Sequence, residues 1–351
     1  MDKLVVPILV HGANQSARLL SSTSFESQNA NAWDSALQEA PSVLQTLKGH
    51  YNDKITDYHC EKNTGKNVPY YEVSDLRRHC AWYGSVWESH CANREPDGDG
   101  GFNYKEPLPG SLKDNMNLLD KMIASDTSSS EKVLLSERAA MDKFFAELVP
   151  FYELNTIVQT GKTLYGTICQ ALLEDIATLT DNGEIDYIII AHSMGCAVSY
   201  NVLSHLDQVI SGNEPLAVKS ADVLSADYLN LLKVVSSGNG RCQGLLTFGN
   251  YIGYNYCSRL NNYILTGDFT KKYKYPISLA RWVNCYTFLG GDPYIIDDKL
   301  GNSIEGHDGR FRDERVWRIP MRNIGHGREN WFKRSDFERD MYKFLCEEIC
   351  W

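Results

Sequence analysis

The sequence predicts an α/β fold in which a mostly parallel sheet is flanked by helices on both faces. Two observations support this prediction. Apolar runs of strand length alternate along the chain with amphipathic runs of helix length, which is typical of parallel strands joined by crossover helices. The first run, residues 4–10, is apolar throughout, as are strands whose two faces are both buried. We therefore expect a sheet that is covered on both sides.

The predicted elements follow this alternation along the whole chain. Helical periodicity predicts a helix interrupted at Pro41, a long helical stretch broken near Pro150, and a closing amphipathic helix; these are residues 31–49, 137–179 and 333–350. The predicted strands after the first are residues 76–84, 188–191, 244–250, 281–288 and 314–321. The strand at 76–84 has the weakest pattern of the set, because polar residues interrupt its apolar run.

The chain is predicted to be one domain, residues 1–351, that contains insertions. Turn-rich sequence between residues 91 and 130, including "EPDGDGGFN" and "SDTSSS", interrupts the alternation, which then resumes. We interpret residues 91–130 as an insertion within the domain, and both a lid and a surface loop fit its composition. Two further excursions are predicted at residues 209–240 and 260–280.

Composition and charge restrict the classes of partner. The 351 residues are 43% hydrophobic and 23% charged, as in ordinary globular proteins. With 45 acidic and 35 basic residues the formal charge is −10, so the chain would repel a nucleic-acid backbone on average. The first residues lack a signal-peptide pattern, and no apolar run approaches the roughly 20 residues that span a bilayer. We expect no nucleic-acid partner, no transmembrane segment and a cytoplasmic protein, with non-classical export left open.

The ten cysteines form no usual metal-binding pattern. No Cys-x-x-Cys pair occurs, and the three His-Cys dipeptides, at residues 59–60, 79–80 and 90–91, match no common spacing of zinc ligands. Reduced and mostly buried thiols are the preferred interpretation. We therefore expect neither a metal nor any other cofactor.

The strongest functional signal is the stretch "IDYIIIAHSMGCAVSYNVL", residues 185–203. An apolar strand runs into His192, Ser193, Met194 and Gly195, and an amphipathic helical run follows. A serine at a tight strand-to-helix turn has strained backbone geometry and needs small neighbours so that strand and helix approach closely. We expect its hydroxyl to be exposed at the carboxyl edge of the sheet. The alternative is a serine that only caps the helix.

This corner resembles the nucleophile elbow of the α/β-hydrolase superfamily, whose motif is usually Gly-x-Ser-x-Gly. Here the motif is Ala191-His192-Ser193-Met194-Gly195, with alanine in the first small position. The resemblance implies that Ser193 is a nucleophile and that Gly195 allows the tight turn. A weaker likeness to lipase class 3 proteins lies in "LLTFGN", residues 245–250.

The superfamily's chain order places an acid and then a histidine after later strands. Asp292 follows the predicted strand 281–288 in a glycine-rich loop, and His326 follows the predicted strand 314–321. The resemblance implies that His326 accepts the proton of Ser193 and that Asp292 orients and stabilises the imidazole.

Other residues compete for both roles. Asp297 and Asp298 also follow the strand 281–288, so chain order alone does not choose between them and Asp292. His205 belongs to the helix that leads away from the corner, and His307 precedes the last predicted strand. Both positions disfavour these histidines as the base.

A second motif, "LVHGANQ" at residues 9–15, is similar to the superfamily's oxyanion strand, which is often followed by His-Gly. His11 and Gly12 directly follow the first predicted strand. The resemblance implies oxyanion donors at the Ala13 and Met194 N–H groups, with His11 and Gly12 in support. If residues 4–10 correspond to the superfamily's third strand, the fold lacks the usual first two strands.

The function that the resemblance implies is a serine hydrolase that cleaves carboxylic esters through a Ser-His-Asp triad. Its expected substrate is a small-molecule ester or a lipid ester, and a lipid substrate would allow peripheral contact with a membrane. An acyltransferase with the same triad and a catalytically inactive binding module of the same fold are the alternatives. A lipase toxin exported without a cleaved signal is a third.

Overall fold

A computed structural model gives the structure of the chain in several stretches. They are residues 4–10, 80–81, 94–96, 102–104, 157–159, 162–180, 185–213, 224–250, 264–266, 272–287, 304–316 and 331–349, with the single residues 215, 261 and 300. Within these stretches lie twelve strands and four α-helices.

Six strands form one sheet in which every pairing is parallel. In spatial order they are β2 (Cys80–Ala81), β1 (Leu4–Val10), β7 (Ile185–His192), β8 (Cys242–Phe248), β10 (Trp282–Thr287) and β12 (Phe311–Val316). The predicted α/β class with a mostly parallel sheet is therefore confirmed.

Three short strand pairs lie outside this sheet. β3 (Arg94–Pro96) and β4 (Phe102–Tyr104) pair in antiparallel fashion, as do β5 (Ile157–Gln159) and β6 (Lys162–Thr163); β9 (Tyr273–Lys274) and β11 (Ile304–Glu305) pair in parallel. The first pair lies within residues 91–130. The rest of that predicted insertion lies outside the described residues, so the choice between lid and surface loop stays open.

The central strands are buried because both of their faces are covered. Every residue of β7 is buried, and in β1 the residues from Val5 to Val10 are buried as well. Their Val and Ile content suits a pleated strand, since branched side chains pack well against neighbouring strands. At about 25 cal/mol per Å² of apolar surface, these two strands contribute much of the hydrophobic stabilisation of the described core.

The helices are α1 (Leu164–Thr180), α2 (Met194–Ile210), α3 (Ala226–Ser237) and α4 (Ser335–Lys343), and α4 continues into a π-helical turn, Phe344–Glu348. α3 begins at a side-chain cap, since the Tyr228 N–H donates to Ser225 Oγ at 3.1 Å. This bond satisfies one of the N–H groups that a helix leaves unpaired at its start.

Helices cover both faces of the sheet, as predicted. Successive side chains of β8 point to opposite faces. Gly244 faces the chain end, because a Cβ there would lie 2.4 Å from Ile349 Cδ1 and 2.5 Å from Phe344 Cζ. Leu245 pairs with Trp282 on the other face, where Tyr200 of α2 lies 5.5 Å from the Trp282 ring. The α2 helix and the C-terminal segment are therefore on opposite sides.

β7 and β8 begin three and two residues before the predicted strands 188–191 and 244–250, and two other predicted elements differ from the structure as well. The last strand begins at Phe311, earlier than the predicted residue 314, because β12 is the edge strand and its intermediate positions are only partly buried, so no apolar run marks its start. The predicted helical stretch 137–179 is wrong at 157–159 and 162–163, where β5 and β6 pair in antiparallel fashion, and α1 starts only at Leu164. The β-branched residues and Gly161 in "IVQTGKT" favour such a pairing.

Within the part of the chain that the structure describes, none of the helices combines the length and the apolar character needed to span a bilayer.

Candidate active site

Ser193 lies at the corner between β7 and α2 with an unusual backbone conformation. Its φ is 56° and its ψ is −127°. Ser193 and Asp308 are the non-glycine residues with positive φ in the described part of the chain. Such a conformation costs on the order of 1–3 kcal/mol for a residue with a Cβ, and it persists only where surrounding contacts enforce it. The strained corner expected from the sequence is therefore present.

Hydrogen bonds from three elements hold this corner. The Ser193 N–H donates to the carbonyl oxygen of Phe248 at 3.1 Å, and the Cys196 N–H donates to the Ser193 carbonyl oxygen at 3.0 Å. The Cys196 thiol lies 3.3 Å from the carbonyl oxygen of Ala191, the last-but-one residue of β7. The turn is thus tied to its own strand, to its own helix and to the neighbouring strand β8.

Ser193 is the N-cap residue of α2, but its side chain makes no capping hydrogen bond to that helix. This observation speaks against the alternative of a serine whose hydroxyl only caps the helix. Met194 begins α2, so its N–H belongs to the set that has no acceptor inside the helix. The first turn of α2 itself holds no acidic residue, and the start of a helix is the positive end of its dipole. This end of α2 suits a developing negative charge.

The expected exposure of Ser193 is wrong. The residue is 1% exposed, and its N–H is bonded to the end of β8. Met194 and Gly195 are buried as well. A reagent or substrate that reacts with the Ser193 hydroxyl must therefore reach a buried atom.

The corner lies where the strand order of the sheet reverses. The reversal occurs at β1: the next strand of the sheet in chain order, β2, lies on one side of it, and β7, β8, β10 and β12 lie on the other. Val10 pairs with Ala191 in register, so the chain leaves β1 and β7 at the same edge. In open parallel sheets, ligands bind outside the carboxyl ends of the strands at this reversal point. Ser193 therefore lies at the edge of the sheet, and at the pair of strands, where open parallel sheets bind ligands.

The other residues assigned from the sequence lie outside the described residues. They are the acid Asp292, its competitors Asp297 and Asp298, the base His326, and the oxyanion residues His11, Gly12 and Ala13. Their roles stay predictions.

His307 lies at the opposite edge of the sheet from Ser193. It precedes β12, whose first residue Phe311 pairs with Trp282, the first residue of β10. Its ring packs 5.8 Å from the Phe311 ring, centroid to centroid. Since parallel strands share one direction, a residue at the amino ends of β10 and β12 does not reach the carboxyl end of β7. This placement agrees with the low rank of His307 as the base.

His205 is part of a buried network between helices. Its Nδ1 lies 2.9 Å from the Tyr228 hydroxyl oxygen, and its Nε2 lies 3.4 Å from that of Tyr165. Burial lowers the pKa of His205 to about 3, so the ring is neutral at physiological pH. His205 therefore links α2 to α1 and α3.

Sequence reasoning missed a row of polar side chains beneath the corner. Thr247, Asn284 and Asp313 are register partners on β8, β10 and β12. The Thr247 hydroxyl donates to Asn284 Oδ1 at 2.9 Å, and Asn284 Nδ2 donates to Asp313 Oδ1 at 2.8 Å. Trp282 Nε1 donates to Thr247 Oγ1 at 3.0 Å. No periodicity could reveal these bonds, since they join residues on different strands.

The described cysteines include four buried thiols that are not in disulfide bonds: Cys169, Cys196, Cys242 and Cys285. Burial raises the pKa of Cys169, Cys242 and Cys285, which keeps these thiols protonated and unreactive. Within the described residues, no group of three or more His, Cys, Asp or Glu side chains is arranged to hold a metal ion.

Comparisons of the chain with known protein families, with curated proteins and with solved structures find no match.

Proposed function

We propose that the protein is a serine hydrolase that cleaves carboxylic esters, with lipid esters as the preferred class, through an acyl-enzyme at Ser193. The observation that carries this proposal is the backbone of Ser193, which has φ 56° and ψ −127° at the strand-to-helix corner. Strain of this kind in a non-glycine residue clusters at functional sites. A sharp, strained turn between a strand and a helix is where α/β-hydrolases carry their nucleophilic serine.

The location of the corner supports the same function. Ser193 follows β7 at the edge where β1 also ends, and the oxyanion motif of His11, Gly12 and Ala13 follows β1 in the chain. The start of α2 supplies N–H groups and a positive dipole end, which favour an oxyanion. Within this proposal, the fold is an α/β-hydrolase fold without its first two strands.

The proposed reaction has two steps. Ser193 Oγ attacks the ester carbonyl carbon while His326 takes the hydroxyl proton, and the alcohol then leaves with that proton. Water next attacks the acyl-enzyme, His326 takes a proton from the water, and the acid leaves as Ser193 recovers its proton. Asp292 holds the imidazole tautomer, and the N–H groups of Met194 and Ala13 stabilise the oxyanion of each step.

The proposal keeps the expectations of a cytoplasmic protein with no nucleic-acid partner. None of the proposed steps needs a metal, so hydrolysis should persist in EDTA. Inactivation by the chelator, with recovery on addition of zinc, would contradict this part of the proposal.

Turnover of ester substrates by purified wild-type and Ser193→Ala protein tests the function. A series of p-nitrophenyl esters of increasing acyl length would measure kcat/KM, and circular dichroism would check the fold of the variant. We expect hydrolysis by wild type and a loss in kcat on the order of 10⁶ in the variant. Equal hydrolysis by both proteins would refute the proposal.

A further inference from the structure

The carboxyl end of β8, the strand next to β7, is hydrogen-bonded to the Ser193 corner. The Phe248 carbonyl oxygen accepts the Ser193 N–H at 3.1 Å, and the Cys196 thiol lies 3.6 Å from the same oxygen. A strained residue keeps its conformation only when such contacts are fixed in place. The position of the Phe248 carbonyl group is therefore a condition for the geometry of Ser193.

The side chain of Asn284 bonds to a residue on each side of Phe248, namely Thr247 and Asn250. Asn284 Oδ1 accepts from the Thr247 hydroxyl at 2.9 Å and from Asn250 Nδ2 at 3.2 Å. Gly249, between Phe248 and Asn250, has a φ of 57°, which is accessible to glycine at little cost and turns the chain back toward β10. The two bonds of Asn284 therefore hold residues 247–250. Phe248, which bonds to Ser193, lies within this segment.

Asp313 fixes the orientation of the Asn284 amide. Asn284 Nδ2 donates to Asp313 Oδ1 at 2.8 Å, and this places the amide oxygen toward its two donors on β8. Asp313 Oδ1 also accepts the Leu300 N–H at 3.1 Å. Thr247, Asn250 and Asn284 are at most 1% exposed, so an orientation of the amide that leaves their polar groups unpaired is strongly disfavoured.

We infer that Asn284, oriented by Asp313, is a positioning residue for the nucleophile: it holds the β8 end whose Phe248 carbonyl group keeps Ser193 in its reactive backbone conformation. The inference rests on the proposed function, because it takes Ser193 as the nucleophile. Asn284 itself touches neither Ser193 nor substrate in this scheme. Its effect reaches the hydroxyl through Thr247, Asn250 and the Phe248 carbonyl group.

A donor–acceptor swap between positions 284 and 313 tests the inference. Asn284→Asp replaces the donor to Asp313 by a second carboxylate, and two such groups at hydrogen-bond distance cannot both stay ionised and in place. Combining Asn284→Asp with Asp313→Asn restores the bonds of position 284: the new carboxylate accepts from Thr247, Asn250 and the new amide. The Leu300 N–H shares Asp313 Oδ1 with Asn284 in the wild type, so it loses that acceptor in the double variant. Comparison of the single and double variants thus distinguishes an effect of the hydrogen-bond network from an effect of either side chain alone.

Asp186→Asn is the matched control. Asp186 is 4% exposed and also joins β7 to the β8 region, accepting from the Arg241 N–H at 2.8 Å and from Gln243 Nε2. It lies at the amino end of β7, away from Ser193. The substitution likewise turns an acceptor into a donor in a buried network, so it should lower stability without reaching the nucleophile.

The readouts are the rate constant for reaction of Ser193 with a fluorophosphonate, kcat and KM for p-nitrophenyl butyrate, and the unfolding temperature Tm. We expect Asn284→Asp to lower the phosphonylation rate and kcat by about 10²-fold, as for a displacement near 1 Å, with KM little changed. The double variant should recover most of the rate. Asp186→Asn should have a lower Tm than wild type but the wild-type rate constant for phosphonylation of Ser193.

Wild-type protein that takes no label would overturn both the proposed function and this inference. Labelled wild type with an unaffected Asn284→Asp variant would overturn the inference alone, as would a double variant that has wild-type Tm but stays slow. If Asn284→Asp does not fold, Asn250→Ala serves instead, because it removes the bond from Asn250 Nδ2 to Asn284 Oδ1. A wild-type rate in that variant would overturn the inference equally.

Discussion

The backbone N–H of Ser193 donates to the carbonyl oxygen of Phe248 at 3.1 Å, so the end of β8 holds the residue that closes β7. This bond explains how a serine with a φ of 56° is kept in place between a strand and a helix. It also connects the candidate nucleophile to the polar row of Thr247, Asn284 and Asp313. Reactivity at Ser193 should therefore depend on residues two strands away.

Replacement of the proposed base should abolish turnover, and replacement of its competitor should not. His326→Ala removes the proton acceptor and should reduce kcat about as much as Ser193→Ala, because members of a triad act as a unit. His307→Ala should be nearly without effect, since His307 lies at the amino ends of β10 and β12. Steady-state kinetics on one ester compares them. A dead His307→Ala variant with an active His326→Ala variant would reverse the assignment.

Replacement of the proposed acid should be costly at one position of three. Asp292→Asn should reduce kcat by roughly 10⁴-fold, the loss typical when the acid of such a triad is removed, while Asp297→Asn and Asp298→Asn should stay close to wild type. All three follow β10 in the chain. One short-chain ester at neutral pH suffices for the comparison. Collapse of either control, with Asp292→Asn intact, would move the role to that residue.

Gly244→Ala should destabilise the protein by about 1–3 kcal/mol, the usual cost of overpacking. A Cβ at Gly244 would lie 2.4 Å from Ile349 Cδ1 and 2.5 Å from Phe344 Cζ, and both are side-chain ends that must move. Urea unfolding measures the change. Combination with Ile349→Val removes the Cδ1 atom and should recover part of the loss. An additive double variant would mean that the two residues do not meet.

Acid should weaken the protein partly through His205. Burial lowers the pKa of His205 to about 3, against about 6.5 for a histidine in the unfolded chain. Between these values the unfolded state binds a proton that the folded state does not. The contribution of neutral His205 to the free energy of unfolding is therefore fully present above about pH 6.5. It falls as the pH drops, by at most about 1.4 kcal/mol per pH unit.

His205→Gln removes this titration, so its unfolding free energy should fall less steeply between pH 6.5 and pH 4 than that of wild type. Urea unfolding at several pH values gives both slopes. His307→Gln serves as the control, because His307 lies in a turn before β12. An identical slope for wild type and His205→Gln would show that His205 does not contribute to the acid sensitivity.

The sequence predicts best where several local signals agree. The apolar run before Ser193 and the small residues around it identify β7 and the turn, because only a strand-to-helix corner uses that combination. β12 was harder to delimit, since an edge strand needs no continuous apolar run. The antiparallel pair β5 and β6 was missed because helical periodicity on both sides of it masks a short β-branched segment.

The buried parts of the candidate site were beyond the reach of sequence patterns. The 1% exposure of Ser193 depends on how β8 and α2 pack around it, which periodicity does not record. The bond between Asn284 and Asp313 joins residues that are adjacent only after β10 and β12 pair. Cross-strand hydrogen bonds of this kind leave no repeat in the sequence, so a threonine, an asparagine and an aspartate look like unrelated polar interruptions.

Covalent labelling of Ser193 tests the central claim most directly. Purified protein would be treated with a fluorophosphonate probe at neutral pH, and intact-mass and peptide mass spectrometry would count and locate the adduct, with Ser193→Ala as the control. We predict one adduct per chain, on Ser193, that is absent from the folded control variant, although Ser193 is 1% exposed in the structure. No adduct on folded wild-type protein, or equal labelling of the Ser193→Ala variant, would contradict a nucleophilic serine at this corner.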